Sequence, residues 1–393
     1  MVWENYEADL RTQRASMKIL LLFLFLISTP VFCAPAIGMS SCKEFVEIYC
    51  KSESMKENQK GLLLCLSEHK DKLSDSCKQE IERFAKTLSQ TTPPGGGPMG
   101  MLGGMTGLAG RVPLLSYEGR TSHSWKGEGP ALNENQLKLS LPIFKAERDS
   151  ISSSFNLGNL EMDEVVTLDS GMKVPRSLYR TDVGLQYSRR LKGEKTLGFQ
   201  GSYGYTGDKF TSNTASYNLT ANYSYPGSDQ GHWVLMLLMS NNGPFGAGVP
   251  IPGFFYIHRT PTFTGVFGLP IASVQWTPVT PWSFSLSALG PLIKTEISHG
   301  TIDEIQIFGG ASWAQQRFIL DEREEQNDRL TFEEKKIEGG IRKPLSTSTM
   351  LDLRLGHSFN RTFYVGKGLF DKEGGNENLP SAWYVNYSVR IVF

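Results

Sequence analysis

The sequence predicts an all-β transmembrane antiparallel barrel of about twelve strands, between about ten and fourteen, with a small disulfide-bonded α-helical module ahead of it. Three observations predict it. The chain ends YVNYSVRIVF, in which Phe393, Ile391, Val389, Tyr387, Val385 and Trp383 share one face while Arg390, Ser388, Asn386 and Tyr384 share the other, because strand side chains alternate. In TASYNLTANYSY (214–225) small polar residues line one side without a break, against Ala215, Tyr217, Leu219, Ala221, Tyr223 and Tyr225 on the other. Finally, the single long apolar run lies near the start, in KILLLFLFLISTPVFCAPA (18–36), where it reads as an export signal.

Composition agrees. The 40 Lys+Arg balance 40 Asp+Glu, so no basic excess argues for a nucleic-acid partner. With 40 Gly, 22 Phe and 14 Tyr and a mean hydropathy of −0.26, the chain suits strands with one wet and one greasy face. Membrane helices would instead need apolar runs of about 20 residues.

Taken in order, residues 1–36 read as leader and signal peptide, with cleavage after Ala36. Glu4, Glu7 and Asp9 are foreign to a positive leader, which points to Met17 as the true start. Phe32 before Cys33 is too bulky for a lipidation site. Residues 37–90 carry Phe45, Val46 and Tyr49, then Leu62, Leu63 and Leu66, at helical spacing. Four cysteines remain after signal removal, Cys42, Cys50, Cys65 and Cys77, and an even count in an exported chain favours two disulfides. Three pairings exist; the nested one, Cys42 with Cys77 and Cys50 with Cys65, would staple two antiparallel helices. Zinc is the rival reading, although the closely spaced pairs of a structural zinc site are missing. Residues 91–110, TTPPGGGPMGMLGGMTGLAG, are too rich in Pro and Gly for a regular element and read as a linker.

The segment with Tyr49-Cys50, Cys65-Leu66 and HKDKLSDSC (69–77) resembles one cysteine-rich repeat of the Golgi glycoprotein that binds fibroblast growth factor. That resemblance implies an exported, disulfide-bonded helical module with a protein partner; a small cap or spacer is the plainer reading.

From 111 to 393 the pattern is repeated strands. TLGFQGSYGY (196–205) and MLDLRLGHSF (350–359) are strong members. Weaker ones fall near 114–125, 136–145, 149–158, 181–191, 253–258, 263–276, 281–289, 291–299, 302–316 and 328–341. The polar faces hold Ser, Asn, Thr, Gly and Gln rather than the Lys and Glu of a soluble sandwich. Tyr225, Trp233, Trp276, Trp282, Trp313 and Trp383 sit at strand ends, as interfacial girdles do. Phe393, with Ile391 and Tyr387 on its face, looks like the C-terminal signal by which outer-membrane barrels reach their assembly machinery. The expected place is therefore the outer membrane of a Gram-negative cell, in contact with its lipid, with the N-terminal module periplasmic or in the lumen.

Two runs stand apart. HWVLMLLMS (232–240) is apolar on both faces, with Val234, Met236 and Leu238 pointing inward, so an inward loop such as 241–256, the linker or an apolar cargo should cover it. RFILDEREEQNDRLTFEEKK (317–336) is densely charged and reads as a hairpin rising above the membrane.

PGFFYI (252–257), FGLPIASVQWTP (267–278), SLSALGP (285–291) and the terminal strand resemble an uncharacterised bacterial family of outer-membrane β-barrels, a domain of unknown function. The resemblance implies location and fold and lends no catalytic residues. The widely spaced His69, His123, His232, His258, His299 and His357 offer no defensible Ser/His or Asp/His pair, so no enzyme and no cofactor or metal is expected. What remains is passage of small solutes, with Asp352, Arg354 and Arg390 as inward selectivity charges and the N-terminal segment as a plug. The alternative is a membrane-anchored binding protein using the cysteine module or outer loops.

Overall fold

The structure, a computed structural model, describes residues 113–393 apart from breaks at 125–128, 229–230, 245, 261, 280, 291, 302–303 and 369–370, together with 72–74 and 77–78. The chain divides into two units, Met1–Pro94 and Gly95–Phe393. The signal peptide, most of the cysteine module and the linker lie outside the described residues. Cys77 is buried and disulfide-bonded, and its partner is outside them too.

The second unit is one antiparallel sheet closed on itself. Its strands are β1 (Leu114–Ser124), β2 (Leu132–Lys145), β3 (Asp149–Met162), β4 (Ser177–Arg190), β5 (Thr196–Gly207), β6 (Ala215–Ser228), β7 (Gly231–Ser240), β8 (Ile251–Arg259) and β9 (Phe263–Leu269). They continue as β10 (Ile271–Trp276), β11 (Trp282–Leu289), β12 (Leu292–His299), β13 (Gln306–Phe318), β14 (Arg329–Pro344), β15 (Thr349–Gly366), β16 (Asn376–Leu379) and β17 (Ala382–Val392). From β1 to β15 each strand pairs with the next in sequence, and β1 closes the ring against β17, from Leu114 opposite Val392 to Ser124 opposite Ala382. β15 pairs with β17 along residues 349–358 and with the four-residue β16 only beyond that, so sixteen strands form the wall and β16 lies outside it.

The expected count of about twelve is therefore corrected to sixteen. The run 263–276, read as one strand, is two: β9 and β10 are joined at Pro270 in a turn too tight to show as a polar break. The weak runs also prove to be strands of the wall, because a strand flanked on both edges needs no strong pattern of its own to be held.

The two rims differ. At the end carrying Leu114 and Phe393, where the Phe393 N–H donates to the Pro113 carbonyl (3.2 Å), connections are brief, such as 146–148 and 191–195. The opposite end carries the long loops 163–176, 208–214, 241–250 and 319–328. The terminal strand behaves as its alternation requires: Trp383, Val385 and Tyr387 are exposed outward, whereas Tyr384, Asn386, Ser388 and Arg390 are buried inward. Trp276, Trp282 and Trp233 mark the outer face near the terminus end, Trp233 stacked on Phe254 at 4.7 Å. Trp313 and Trp383, beside Lys335 and His357, mark it near the loop end.

Candidate functional site in the lumen and at its mouth

Inward-facing side chains divide the lumen wall into arcs. From β12 round through β17 to β4 the wall is charged, because alternate residues on each of these strands are ionic and adjacent strands bring opposite signs within reach. Asp352 on β15, fully buried, accepts from Arg354 Nη2 (3.0 Å), Arg342 Nε (3.3 Å) and Arg390 Nη2 (3.4 Å). Arg342 continues to Glu296 (3.2 Å) and Gln306 on β12 and β13. Arg354 continues to Glu338 (3.2 Å), which also accepts from the Tyr384 hydroxyl (2.8 Å). Phe308 lies beneath both guanidinium groups, 4.7 Å from that of Arg342 and 5.5 Å from that of Arg354. The three sequence-predicted charges thus meet at one point, near the terminus end. Sequence reasoning missed Arg342, Glu338 and Glu296, whose inward parity on β14 and β12 was the available signal.

Further toward the loop end, Arg120 on β1 bridges Glu134 (3.0 Å) and Glu334, and Glu334 also meets Lys336 (3.2 Å). Glu334 sits at an irregularity: Glu333 opposes Thr362 but Lys335 opposes Phe359, so β15 has one residue more than β14 here. Asn360 absorbs it with a left-handed backbone, φ +48°. Such a bulge bends its strand pair. It also switches parity: Asp352, Arg354 and Ser358 face in below it, and Arg361, Phe363 and Val365 face in above it.

Past the bend, the ends of β13, β14 and β15 fold over the mouth. Phe318, Leu330, Phe332, Phe363 and Val365 pack on Leu132, Leu160, Met162, Leu178 and the 163–176 loop in one apolar core. β13 and β4 stand on opposite sides of the ring, so this core crosses the mouth. Polar ties reinforce it: Ile319 N–H to the Thr206 carbonyl (2.8 Å), Gln316 to Glu134 (2.9 Å) and Asn242 Nδ2 to the Arg317 carbonyl (2.9 Å). The carboxylate of Asp321 accepts from Thr211 (2.6 Å), Asn213 (3.2 Å) and Lys209 (3.3 Å). The Thr211 hydroxyl, with Lys209 and Asn213 behind it, holds that carboxyl below the ordinary aspartate range. The 317–336 hairpin stands at the loop end, as expected, with Glu322, Glu324 and Glu325 exposed, while its root leans over the opening where Asp321 and Arg323 bond the 208–214 loop of the far wall.

The opposite arc is apolar. Val234, Met236, Phe255, Ile257, Val266 and Ile271, on β7 to β10, form a second buried cluster, with Leu289 against it. Their neighbours in sequence, Leu235, Leu237, Phe254 and Phe267, are exposed on the outer face. Of the loop expected to cover Val234 and Met236, residues 251–256 are instead wall, and Phe255 meets them from the adjacent strand. His357 faces outward beside Trp383, and Ser358 faces inward, bonded to the Ala382 carbonyl (3.3 Å), so the two do not form a catalytic pair.

No protein-family model matches the chain, and no curated protein matches it. Solved structures do. An outer membrane channel from Pseudomonas putida F1 aligns over 72% of this chain and 95% of its own, at 13% identity and a TM-score of 0.29. The NanC porin aligns over 70% of this chain and 98% of its own, at 9% identity and a TM-score of 0.28. The β domain of the Bordetella autotransporter BrkA aligns over 72% and 99%, at 9% identity and a TM-score of 0.27.

Proposed function

We propose that the chain is an outer-membrane channel that passes small solutes through its barrel. The observation that carries this reading is a closed ring of sixteen strands whose outer face is apolar and whose inner face is charged from β12 round to β4, with an apolar arc on β7–β10. Lipid demands that every backbone group be paired, which a closed barrel satisfies. A ring of this size is also wide enough for an aqueous lumen. The loop end then faces outward, as long loops do in outer-membrane barrels, and the termini face the periplasm.

Asp352, Arg354 and Arg390, with Arg342, Glu296 and Glu338, are the charges a permeating ion would meet at the periplasmic end, and they set selectivity. The capped outer mouth makes the channel a gated one. The signal peptide ending at Ala36, the disulfides Cys42–Cys77 and Cys50–Cys65, and a lumen plug drawn from the N-terminal segment belong to the same reading.

The test is single-channel conductance of the refolded protein in planar bilayers, comparing the mature chain with one starting at Arg111. Steady conductance is expected, larger after truncation, with selectivity altered by Arg354→Glu or Arg390→Glu. A folded, heat-modifiable barrel that never conducts in either form would refute the channel and favour the membrane-anchored binding role.

A further inference from the structure

The wall is not equally tall all round. β9, β10, β11 and β12 are 7, 6, 8 and 8 residues long, whereas the other wall strands run from 9 in β8 to 18 in β15. A strand tilted by about 40° climbs roughly 2.5 Å per residue. From the Trp276 and Trp282 girdle, β10 and β11 therefore reach only about 15–20 Å, short of the roughly 25 Å apolar band of an outer-membrane barrel. β17, from Trp383 to Val392, spans the whole band by the same measure.

The turns that cap these short strands have the composition of a membrane interior. The first is Leu269-Pro270-Ile271, with Leu269 77% exposed; the second runs through Leu289, Gly290 and Leu292. Neither carries a charge, whereas the outer loops 163–176, 208–214 and 319–328 are rich in Asp, Glu, Lys and Arg. On either side of the low section the taller strands run past the pairing. The register of β13 with β12 ends at Trp313 although β13 continues to Phe318, and β8 pairs with β9 only from Phe254 onward. Directly behind the low rim, on the lumen side, lies the apolar cluster of Val234, Met236, Phe255, Val266 and Ile271, joined to the rim by Leu289.

We propose that the low rim over β9–β12 is a lateral passage between the outer leaflet and the lumen, taken by single-chain amphipathic molecules with a long hydrocarbon tail. The inference rests on the reading of the chain as an outer-membrane barrel channel and names its cargo class. The rim sits at the depth of acyl chains. Apolar side chains follow one another from the lipid face at Phe267 and Leu269, over the turn at Ile271, to Phe255 inside; Ile271, Val266 and Phe255 are buried against one another, so the passage is shut at rest and opens where this cluster parts. The axial route is the one the folded ends of β13–β15 close. A polar head would move along the Ser283, Ser285 and Ser287 row on the inner face of β11 toward the charged arc at Lys294 and Glu296.

The experiment reconstitutes the full chain in phospholipid vesicles with a diazirine-bearing C16 fatty acid as probe, and maps photo-crosslinks by mass spectrometry. Labelling is expected on the inward residues Met236, Phe255 and Ile271 as well as on outward Phe254 and Phe267. Ile271→Glu should lower the inward labelling about tenfold, which corresponds to 1.4 kcal/mol, and leave the outward labelling unchanged. Leu289→Trp, which fills the rim without adding charge, should do the same and guards against loss of folding in the glutamate variant; both are checked for heat-modifiable mobility on gels. Labels confined to outward residues would overturn the passage. So would chain-to-chain crosslinks across β9–β12, which would make the low wall an interface between copies. Because labelling does not depend on ion flow, these outcomes stand apart from a failure to conduct.

Discussion

Replacing Asp352 with alanine removes the anion shared by three guanidinium groups, a carboxylate itself fully buried behind arginines that keep a small exposed edge. Breaking a buried ion pair costs about 3–5 kcal/mol, because the surviving charge keeps its desolvation penalty and loses its partner. The structure places this site at the lower end of that range. Arg342 retains Glu296 at 3.2 Å and Arg354 retains Glu338 at 3.2 Å, so neither cation is wholly stranded. A loss of about 3 kcal/mol is expected, or on the order of 0.5–1 M in the guanidinium midpoint at ordinary slopes. The assay is equilibrium unfolding in detergent micelles followed by tryptophan fluorescence. Asp352→Asn, which keeps an acceptor oxygen and loses the charge, should cost about half as much. Asp352→Ala combined with Arg390→Met should recover part of the loss, since one uncompensated cation is gone. If Asp352→Ala unfolds at the native midpoint, the carboxylate does not organise the cluster. Equal losses for alanine and asparagine, with no recovery in the double variant, would mean that charge is irrelevant there.

Glu334→Ala frees the bend below the folded ends of β13–β15 from Arg120 and Lys336; channel openings in planar bilayers should become several-fold more frequent, while Glu334→Asp should restore much of the closed time. Gly204 and Gly340 lie where an added Cβ would collide with the carbonyls of Thr181 and Leu353, so Gly204→Val should cost about 1–3 kcal/mol through forced backbone shifts and lower the yield of folded barrel on heat-modifiability gels. Asp321 has a lowered folded-state pKa, so its tie to the 208–214 loop is fully present above the ordinary aspartate pKa of about 4 and is lost as pH falls through the depressed folded value. Proteolysis at Arg323 should therefore quicken only in acid, and in Asp321→Asn the protection should be weaker at neutral pH and flat across that range.

Alternation made the two faces of the wall legible. It says which residues share a face, and the sign of each face follows from whether Val and Leu or Ser and Asn occupy it. That is why the inward set of Asp352, Arg354 and Arg390 could be named from parity alone. What alternation lacks is a mark for a turn made of apolar residues. Leu269-Pro270-Ile271 sits where a soluble hairpin would carry Asn or Gly with charged flanks, and two strands were read as one.

The mouth was illegible for a different reason. On β15 the readable alternation stops at Phe359, one residue before Asn360 takes up the left-handed conformation. Beyond it the facing residues change from even to odd numbers, so Arg361, Phe363 and Val365 fall out of step with Asp352 and Arg354. A reading by parity must end the strand there, although the backbone continues to Gly366. The charged 317–336 run misled in the same way. Asp321 was taken as solvated, as Glu322, Glu324 and Glu325 are, because its partners, Thr211 and Asn213 and the Lys209 ammonium, come from a loop more than a hundred residues earlier. Charge in a sequence marks what needs a partner or water; only the closure of the ring decides which of the two it receives. In this barrel the ring brings that earlier loop across the mouth, and the root of the hairpin is held over the opening by contacts that no local pattern encodes.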